Sequence, residues 1–284
     1  MKVRRFLLEN EKGQQFRLDN LNEGCFLTSP SNLGYSYNID FAQLGFDFIE
    51  NNRKIEQKNP SGTAYFISYD KVKEFINYIE SSDKIKWIYI IPFENGEKAY
   101  YRDVALKKFD KTEKKGKWIA CPIEFASKSL WYEENTIIYT IEPQDNEIRW
   151  DFEWDSKFSD YSMRNLQYIN NGHVEAPIML EIDGYIKNPK IELYVEGQLY
   201  QTIPFNVTIE QYEKLLYDTR ENNFFIGKQN TDGTKSSLFN LDVIDFANDN
   251  VLRIPKNKTC EIKLKADNDI QNAQLTILPQ YKAV

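Results

Sequence analysis

The sequence is poor in the residues on which catalysis and metal binding usually depend. It contains one histidine, His173, and a Ser-His-Asp or Cys-His mechanism would have to use it as the base. His173 follows Gly172 in a turn-like stretch, which is typical of a surface residue. Cys25, Cys121 and Cys260 are far apart and form no CxxC pair or Cys/His cluster. The cysteines therefore predict neither a zinc site nor a disulfide framework, and favour three buried, reduced thiols.

Several other signatures are also missing from the sequence. It has no GxGxxG, no Gly-x4-Gly-Lys-Ser/Thr, no HExxH and no spaced calcium-binding loop. The longest apolar runs, such as Ile88–Ile91, are far too short to span a bilayer. The basic start of the chain is cut off by Glu9 and Glu11, so no signal-peptide core follows. These absences predict no cofactor, no metal, no catalytic residue, no membrane association and no secretory address.

The composition indicates a folded protein made of two parts. Hydrophobic residues make up 41% of the 284 residues and aromatic residues 14%, with 18 Tyr and 18 Phe that favour pleated, half-buried surfaces. Residues 1–132 contain 21 basic and 18 acidic side chains, whereas residues 133–284 contain 15 and 25. This asymmetry predicts two domains, 1–132 and 133–284, and argues against sequence-specific DNA binding. The boundary falls in an acidic stretch, Trp131–Asp160.

Period-two patterning predicts that both domains are mainly β. In the first domain we expect an opening hairpin, and one helix capped by Ser68 or Asp70 that buries Val72, Phe75, Ile76 and Ile79. An Asn95-Gly96 turn should join two further strands. The other strands predicted in the first domain are Tyr35–Phe41, Leu44–Phe48, Thr63–Ile67, Ile85–Ile91, Tyr100–Phe109 and Lys117–Phe125.

The second domain is predicted to be a β-sandwich, because short strands alternate with turn signals. The clearest pair is Ile178–Asp183 and Lys190–Val195, separated by Gly184 and Asn188-Pro189. The segment Ile209–Leu216 fits either a short helix or a strand. The other strands predicted here are Leu199–Val207, Leu215–Arg220, Phe224–Lys228, Glu261–Lys265 and Gln274–Leu278.

Two segments carry conspicuous charge. Trp150–Asp155 alternates aromatic and acidic residues as glycosidase clefts do, but in a strand the same alternation buries the aromatics on one face and exposes the acids on the other. Lys107–Lys117 is a basic connection between two strands. It fits a solvated turn, and it also fits an arm that reaches a neighbouring subunit.

The order of strands and turns resembles that of siphophage distal tail proteins. The residues that carry this resemblance in the second half are Ala176–Gly184, Asn188–Ile191, Asp218-Thr219, Leu252–Asn257, Thr259–Leu264 and Leu275–Tyr281. In the first half they are Gly62–Phe66, the predicted helix, Tyr100–Leu106 and Pro122–Tyr132. One departure is that the Pro-Gly of the family appears here as Pro255-Lys256-Asn257.

The resemblance implies a structural role in the phage tail. It implies a barrel-like, tail-tube-like N-terminal domain with one packed helix, and a galectin-like (jelly-roll) C-terminal sandwich. Such proteins form a ring, typically a homohexamer, at the tail tip, and DNA passes through that ring without specific binding. The implied partners are the tail tube protein, a tail-associated lysin or tail fibre, and a receptor-binding protein. The implied location is the virion tail tip, after assembly in the bacterial host cytoplasm, and the implied source is a phage or prophage of a Gram-positive host.

Two other functions remain open from the sequence. One is a carbohydrate-binding module that uses sandwich aromatics such as Tyr194, Tyr200 or Trp154. The other is a glycoside hydrolase in which Glu153 is essential. Because a fold does not carry a function, neither follows from the sandwich alone.

Overall fold

The computed structural model describes residues 4–140, 166–239, 243, 251–268, 270 and 272–284. Its first part contains, in chain order, β1 (Arg5–Asn10), β2 (Gln15–Arg17), β3 (Asp19–Asn20), β4 (Cys25–Ser31), β5 (Tyr37–Leu44), β6 (Asp47–Ile55), β7 (Ser61–Phe66), α1 (Tyr69–Glu80), β8 (Ile85–Phe93), β9 (Gly96–Phe109), β10 (Ile119–Ser127) and β11 (Trp131–Tyr132). The prediction of a mainly β protein with one helix in its first half is confirmed.

The second part continues with short strands and one 3₁₀ turn, Glu221–Asn223. Its strands are β12 (Asn135–Thr140), β13 (Leu166–Ile169), β14 (Ala176–Asp183), β15 (Ile186–Lys187), β16 (Lys190–Val195), β17 (Gln198–Pro204), β18 (Thr208–Ile209), β19 (Lys214–Asp218), β20 (Phe225–Gln229), β21 (Lys235–Ser237), β22 (Arg253–Ile254), β23 (Thr259–Lys265), β24 (Asn272–Ile277) and β25 (Gln280–Tyr281).

The chain divides into two compact units. Unit 1 consists of Met1–Glu133 together with Gln280–Val284, and unit 2 consists of Glu134–Pro279. The last five residues, which the sequence assigned to the second domain, therefore lie in unit 1. The reason is that β25 pairs with β11, so that Tyr281 lies opposite Trp131. The chain returns to unit 1 through this long-range strand pairing, which no local sequence pattern predicts.

Unit 1 is built on one large antiparallel sheet in the order β2-β1-β8-β9-β10-β7-β4-β3. Leu18 brings the two ends of this sheet together. Its N–H donates to the carbonyl of Phe6 (2.9 Å), and its carbonyl accepts from the N–H of Leu27 (2.8 Å). The sheet thus turns back on itself around the core, although its ladder stays open. Asn95-Gly96 lies at the tight turn between β8 and β9, as predicted.

Helix α1 packs on the concave side of this sheet through three residues, Val72, Phe75 and Ile79. The predicted cap is confirmed, because the hydroxyl of Ser68 accepts a hydrogen bond from the N–H of Lys71 at 3.2 Å. Ile76, which was expected in the buried stripe, is 39% exposed. It lies at the edge of the narrow face formed by residues 72, 75 and 79, and so only partly reaches the core.

Unit 2 contains two main antiparallel sheets around one core, together with the short antiparallel pair β15-β18. One sheet has the order β12-β24-β14-β19-β20-β21 and the other β13-β23-β16-β17. Side chains from β14 and β16 share that core, as the alternation predicted; they are Ile178, Leu180, Ile182, Ile191, Leu193 and Val195. The segment Ile209–Leu216 forms no helix: β18 ends at Ile209 and β19 begins at Lys214. In the ranges described, no helix is both long and apolar enough to cross a bilayer.

Candidate functional site

The most unusual surface of unit 1 is the β-ribbon formed by β5 and β6. The two strands pair only with each other among the described strands, so both outer edges are unpaired. Every residue from Asp40 to Ile55 is exposed. An isolated two-stranded ribbon is marginally stable in water, and unpaired edges invite pairing with another chain. We call residues 37–55 the ribbon and residues 40–50 the ribbon tip.

The ribbon tip is apolar on both faces. A bulge shifts the register, because Asp40 lies opposite Asn52 whereas Phe41 lies opposite Glu50. Beyond the bulge, Phe41 and Phe48 lie on one face, while Leu44 and Ile49 lie on the other. All four are exposed, and Phe46 in the turn is fully exposed. A ribbon with apolar residues on both faces can be buried from two sides at once.

The turn of the ribbon corrects a prediction. The alternation of Leu44, Phe46 and Phe48 predicted one strand, but β5 ends at Leu44 and β6 begins at Asp47. Gly45 has a φ of +65°, in the left-handed region that glycine enters without a steric penalty. The chain therefore reverses in the middle of the predicted strand. The side-chain amide of Gln43 donates a hydrogen bond to the carbonyl of Gly45 at 3.0 Å and so stabilises the turn.

The base of the ribbon is held by cations on aromatic rings. The guanidinium of Arg53 lies 5.1 Å from the centre of the Tyr37 ring, and the ammonium of Lys282 lies 5.2 Å from the same ring. Ser36 donates a hydrogen bond to the carboxylate of Glu56. This bond and the nearby Lys58 together lower the pKa of Glu56. The end of the chain thus contacts the root of the ribbon within unit 1.

The basic connection of residues 107–117, which we call the basic loop, is folded against the start of α1. The hydroxyl of Tyr69 donates to Glu113 at 2.9 Å and accepts from the N–H of Lys114 at 3.3 Å. The ammonium of Lys111 lies 4.9 Å from the centre of the Tyr69 ring. The backbones of Lys115 and Trp118 form an isolated antiparallel β-bridge. The loop has a fixed shape, and its lysines are exposed.

The structure places the candidate catalytic residues apart from one another. His173 is exposed, and the three cysteines are buried and free, as predicted. Burial raises the pKa of Cys25 to about 12 and also raises the pKa of Cys121 and Cys260, which disfavours thiolate chemistry. No three His, Cys, Asp or Glu side chains in the described part gather to hold a metal. Trp150–Asp155, including Glu153 and Trp154, lies outside the described residues.

The two tyrosines proposed for carbohydrate stacking lie on neighbouring strands of unit 2, Tyr194 on the inner strand β16 and Tyr200 on the edge strand β17. Tyr200 is exposed, but the Tyr194 ring is covered by the ammonium of Lys263 at 4.5 Å. Tyr194 also donates to Glu192, a nearly buried carboxylate that lies 2.8 Å from Lys265 and 3.2 Å from Lys190. Burial raises the pKa of Glu192, but these hydrogen bonds outweigh it and hold the pKa below its usual value. Nothing in this arrangement favours glycan binding.

Sequence reasoning missed one buried cation. Arg102 is only 2% exposed, and its guanidinium stacks 4.5 Å from the centre of the Trp131 ring. Its Nε and Nη1 have no hydrogen-bond partner, and burial lowers its pKa to about 10. The alternation of Tyr100, Arg102 and Val104 along β9 was a usable signal, since all three residues point to the same side.

These features define the class of the protein: a mainly β structural protein whose most prominent surface is an unpaired apolar ribbon. Residues 5–128 match the family described as distal tail protein, N-terminal domain. Unit 1 therefore contains a distal tail protein N-terminal domain, and the resemblance to distal tail proteins drawn from the sequence is confirmed. The match of this domain supports a distal tail or baseplate hub protein.

Solved structures of phage baseplate proteins share the fold. A chain of the phage P2 baseplate in its activated conformation with Ca is 18% identical, with a TM-score of 0.69 over 100% of both chains. A chain of the same baseplate with Sr is 17% identical, with a TM-score of 0.67 over 100% of both chains. The SPP1 Dit protein (gp 19.1), described as a paradigm of hub adsorption apparatus in phages infecting Gram-positive bacteria, is 10% identical, with a TM-score of 0.55 over 98% of both chains. No curated protein matches the sequence.

Proposed function

We propose that this protein forms a homohexameric ring at the tail tip. The ring links the tail tube to the receptor-binding or tail-lysin apparatus. In this proposal residues 1–132 close the ring around the DNA channel. Residues 133–284 carry the lysin, fibre or receptor-binding components. The role is structural and requires no reactive centre, which agrees with a family of tail proteins.

The observation that carries the proposal is the ribbon. Its two free edges and its apolar tip, with Leu44, Phe46 and Phe48 exposed, form a surface that a monomer would not keep in water without a cost. A second copy of the chain can cover it. In a closed ring every copy offers the same ribbon and the same receiving surface, so each ribbon is covered by a neighbour.

The proposal is tested with the Leu44→Ser/Phe46→Ser double variant. Both side chains are exposed, so the variant should fold with an unchanged melting temperature. Native mass spectrometry and electron microscopy, with the tail tube protein present, should show hexameric rings of the wild type and mainly monomers of the variant. Tyr212→Ser is the control, because it removes another largely exposed ring, from unit 2.

Two results would contradict the proposal. One is a wild-type protein that stays monomeric at high concentration with the tail tube protein present. The other is a double variant that forms rings as readily as the wild type. Addition of the tail tube protein matters, because a subunit removed from its neighbours can lack the surface on which the ring is built.

A further inference from the structure

We propose that the ribbon tip of one copy docks on the basic loop of the next copy. This inference rests on the proposed ring and adds the surface that receives the ribbon. It assigns a function to residues 107–117, which contain six lysines. The occupant is a second copy of this chain, and the argument uses position, charge and apolar contact in turn.

Residues 111–117 of the basic loop and the ribbon lie at opposite ends of strand β7, whereas Lys108 is level with Ser61 at the ribbon end, through Glu124. The ribbon connects β4 to β7 where Ser31 pairs with Ser61. The basic loop leads into β10, whose first residue, Ile119, pairs with Phe66 at the other end of β7. Six residues of strand separate these ends by roughly 17 Å. A head-to-tail ring needs two different surfaces on well-separated parts of each subunit, and these two meet that need.

The two surfaces carry opposite charge. The ribbon tip contains three carboxylates and no basic residue; these are Asp40, Asp47 and Glu50. The basic loop contains six lysines and two acids. Lys107 and Lys108 already pair with Glu124 and Asp110 within the subunit.

Glu50 on the ribbon tip pairs with Arg53 at 2.5 Å, but four other charges on the two surfaces have no ion partner among the described residues. Among the residues that the structure describes, neither Asp40 nor Asp47 on the ribbon tip forms an ion pair, and neither does Lys114 nor Lys115 on the basic loop. Complementary charges of this kind favour association and fix its register.

Aromatic side chains beside the basic loop also provide an apolar surface for the ribbon tip. Tyr69 is 45% exposed beside the loop, and its hydroxyl already fixes the loop through Glu113 and Lys114. Trp118 stacks edge-on against Phe26 at 4.9 Å just after the loop. Because these contacts exist before association, docking costs little ordering of the receiving surface. The apolar turn of the ribbon, led by Phe46, can then lie against Tyr69 while its carboxylates meet the lysines.

The direct test is zero-length carbodiimide cross-linking of assembled protein. Equal amounts of ¹⁴N and ¹⁵N protein are mixed before assembly, so that mixed-isotope peptides report links between different copies. We expect mixed-isotope links from Asp40, Asp47 or Glu50 to Lys111, Lys114 or Lys115. Rings whose ribbon-tip carboxylates link only to lysines outside the basic loop would overturn this inference and leave the proposed ring intact.

Charge reversal provides an independent readout. The Lys111→Glu/Lys114→Glu/Lys115→Glu variant should lower the yield of rings by at least about tenfold, since like charges then face each other. Adding Asp40→Lys and Asp47→Lys to the same chain should restore most of that yield. The matched control reverses three exposed lysines of unit 2, Lys235, Lys256 and Lys258, and should leave the yield unchanged. An unchanged yield in the loop variant would refute the inference, whereas a wild type without rings would refute the proposed function as well.

Discussion

The ammonium of Lys282 donates a hydrogen bond to the hydroxyl of Tyr37 at 2.6 Å. These two residues are 245 positions apart in the chain, yet both belong to unit 1. Tyr37 is the first residue of β5, and Lys282 follows β25 directly. The contact therefore ties the segment that returns from unit 2 to the root of the ribbon.

Removal of this contact should loosen the ribbon. In Lys282→Met the hydrogen bond and one of the two cations on the Tyr37 ring are lost, while Arg53 and the aliphatic stem of residue 282 are kept. We expect faster amide hydrogen exchange in peptides covering residues 37–55, with little change in the rest of unit 1. Lys256→Met, an exposed lysine in unit 2, is the control. Equal exchange in the two variants would show that the ribbon is held by other contacts.

The cap of α1 should contribute measurably to the stability of unit 1. Ser68→Ala removes the acceptor for the N–H of Lys71 and should lower the free energy of unfolding by about 1 kcal/mol. Ser68→Asp keeps an acceptor at the same position and should cost much less. Urea denaturation followed by circular dichroism measures both changes. If the two variants lose the same free energy, the cap contributes nothing.

Glu192 should make unit 2 sensitive to acid. Its pKa in the folded protein lies below the unfolded value of 4.5, so its stabilising effect is present above that pH and is lost as the pH falls through the folded value. Glu192→Gln should cost about 1–3 kcal/mol at pH 7, and the difference from the wild type should shrink below about pH 4. Urea melts at several pH values measure this, with the exposed Glu175→Gln as control. A difference that stays constant down to pH 3 would contradict the assignment.

Arg102 should destabilise unit 1 at neutral pH. Its buried guanidinium lacks partners at Nε and Nη1, so Arg102→Met should raise the free energy of unfolding by about 1–2 kcal/mol. Because burial lowers the pKa of Arg102 to about 10, the unfolded chain binds more protons above that pH. The penalty in the wild type therefore decreases as the pH rises from about 10, and the two proteins should converge. Arg102→Met unfolding at lower urea than the wild type at pH 7 would refute this.

The local elements of the fold were predictable, because their signals lie within a few residues. The β16 strand matches its predicted bounds, Lys190–Val195, and the Ser68 cap was identified from a side chain next to an apolar stripe. Asn257 takes a φ of +57°, in the left-handed region that asparagine tolerates better than most residues.

The ribbon and its contacts were less predictable, because they depend on the backbone and on distant residues. Alternation cannot reveal that Gly45 reverses the chain between Leu44 and Phe46. Nor can it reveal that Lys282 reaches Tyr37, or that β5 and β6 lack neighbours in the described sheets. The exposure of the ribbon is a property of the whole of unit 1, so the surface on which the proposed function depends became visible only in three dimensions.

The return of residues 280–284 to unit 1 has a consequence for the timing of biosynthesis. These residues follow all of unit 2 in the chain, so β11 has no β25 beside it, and Tyr37 no lysine, until unit 2 has been synthesised. The root of the ribbon is thus completed only after unit 2 has left the ribosome.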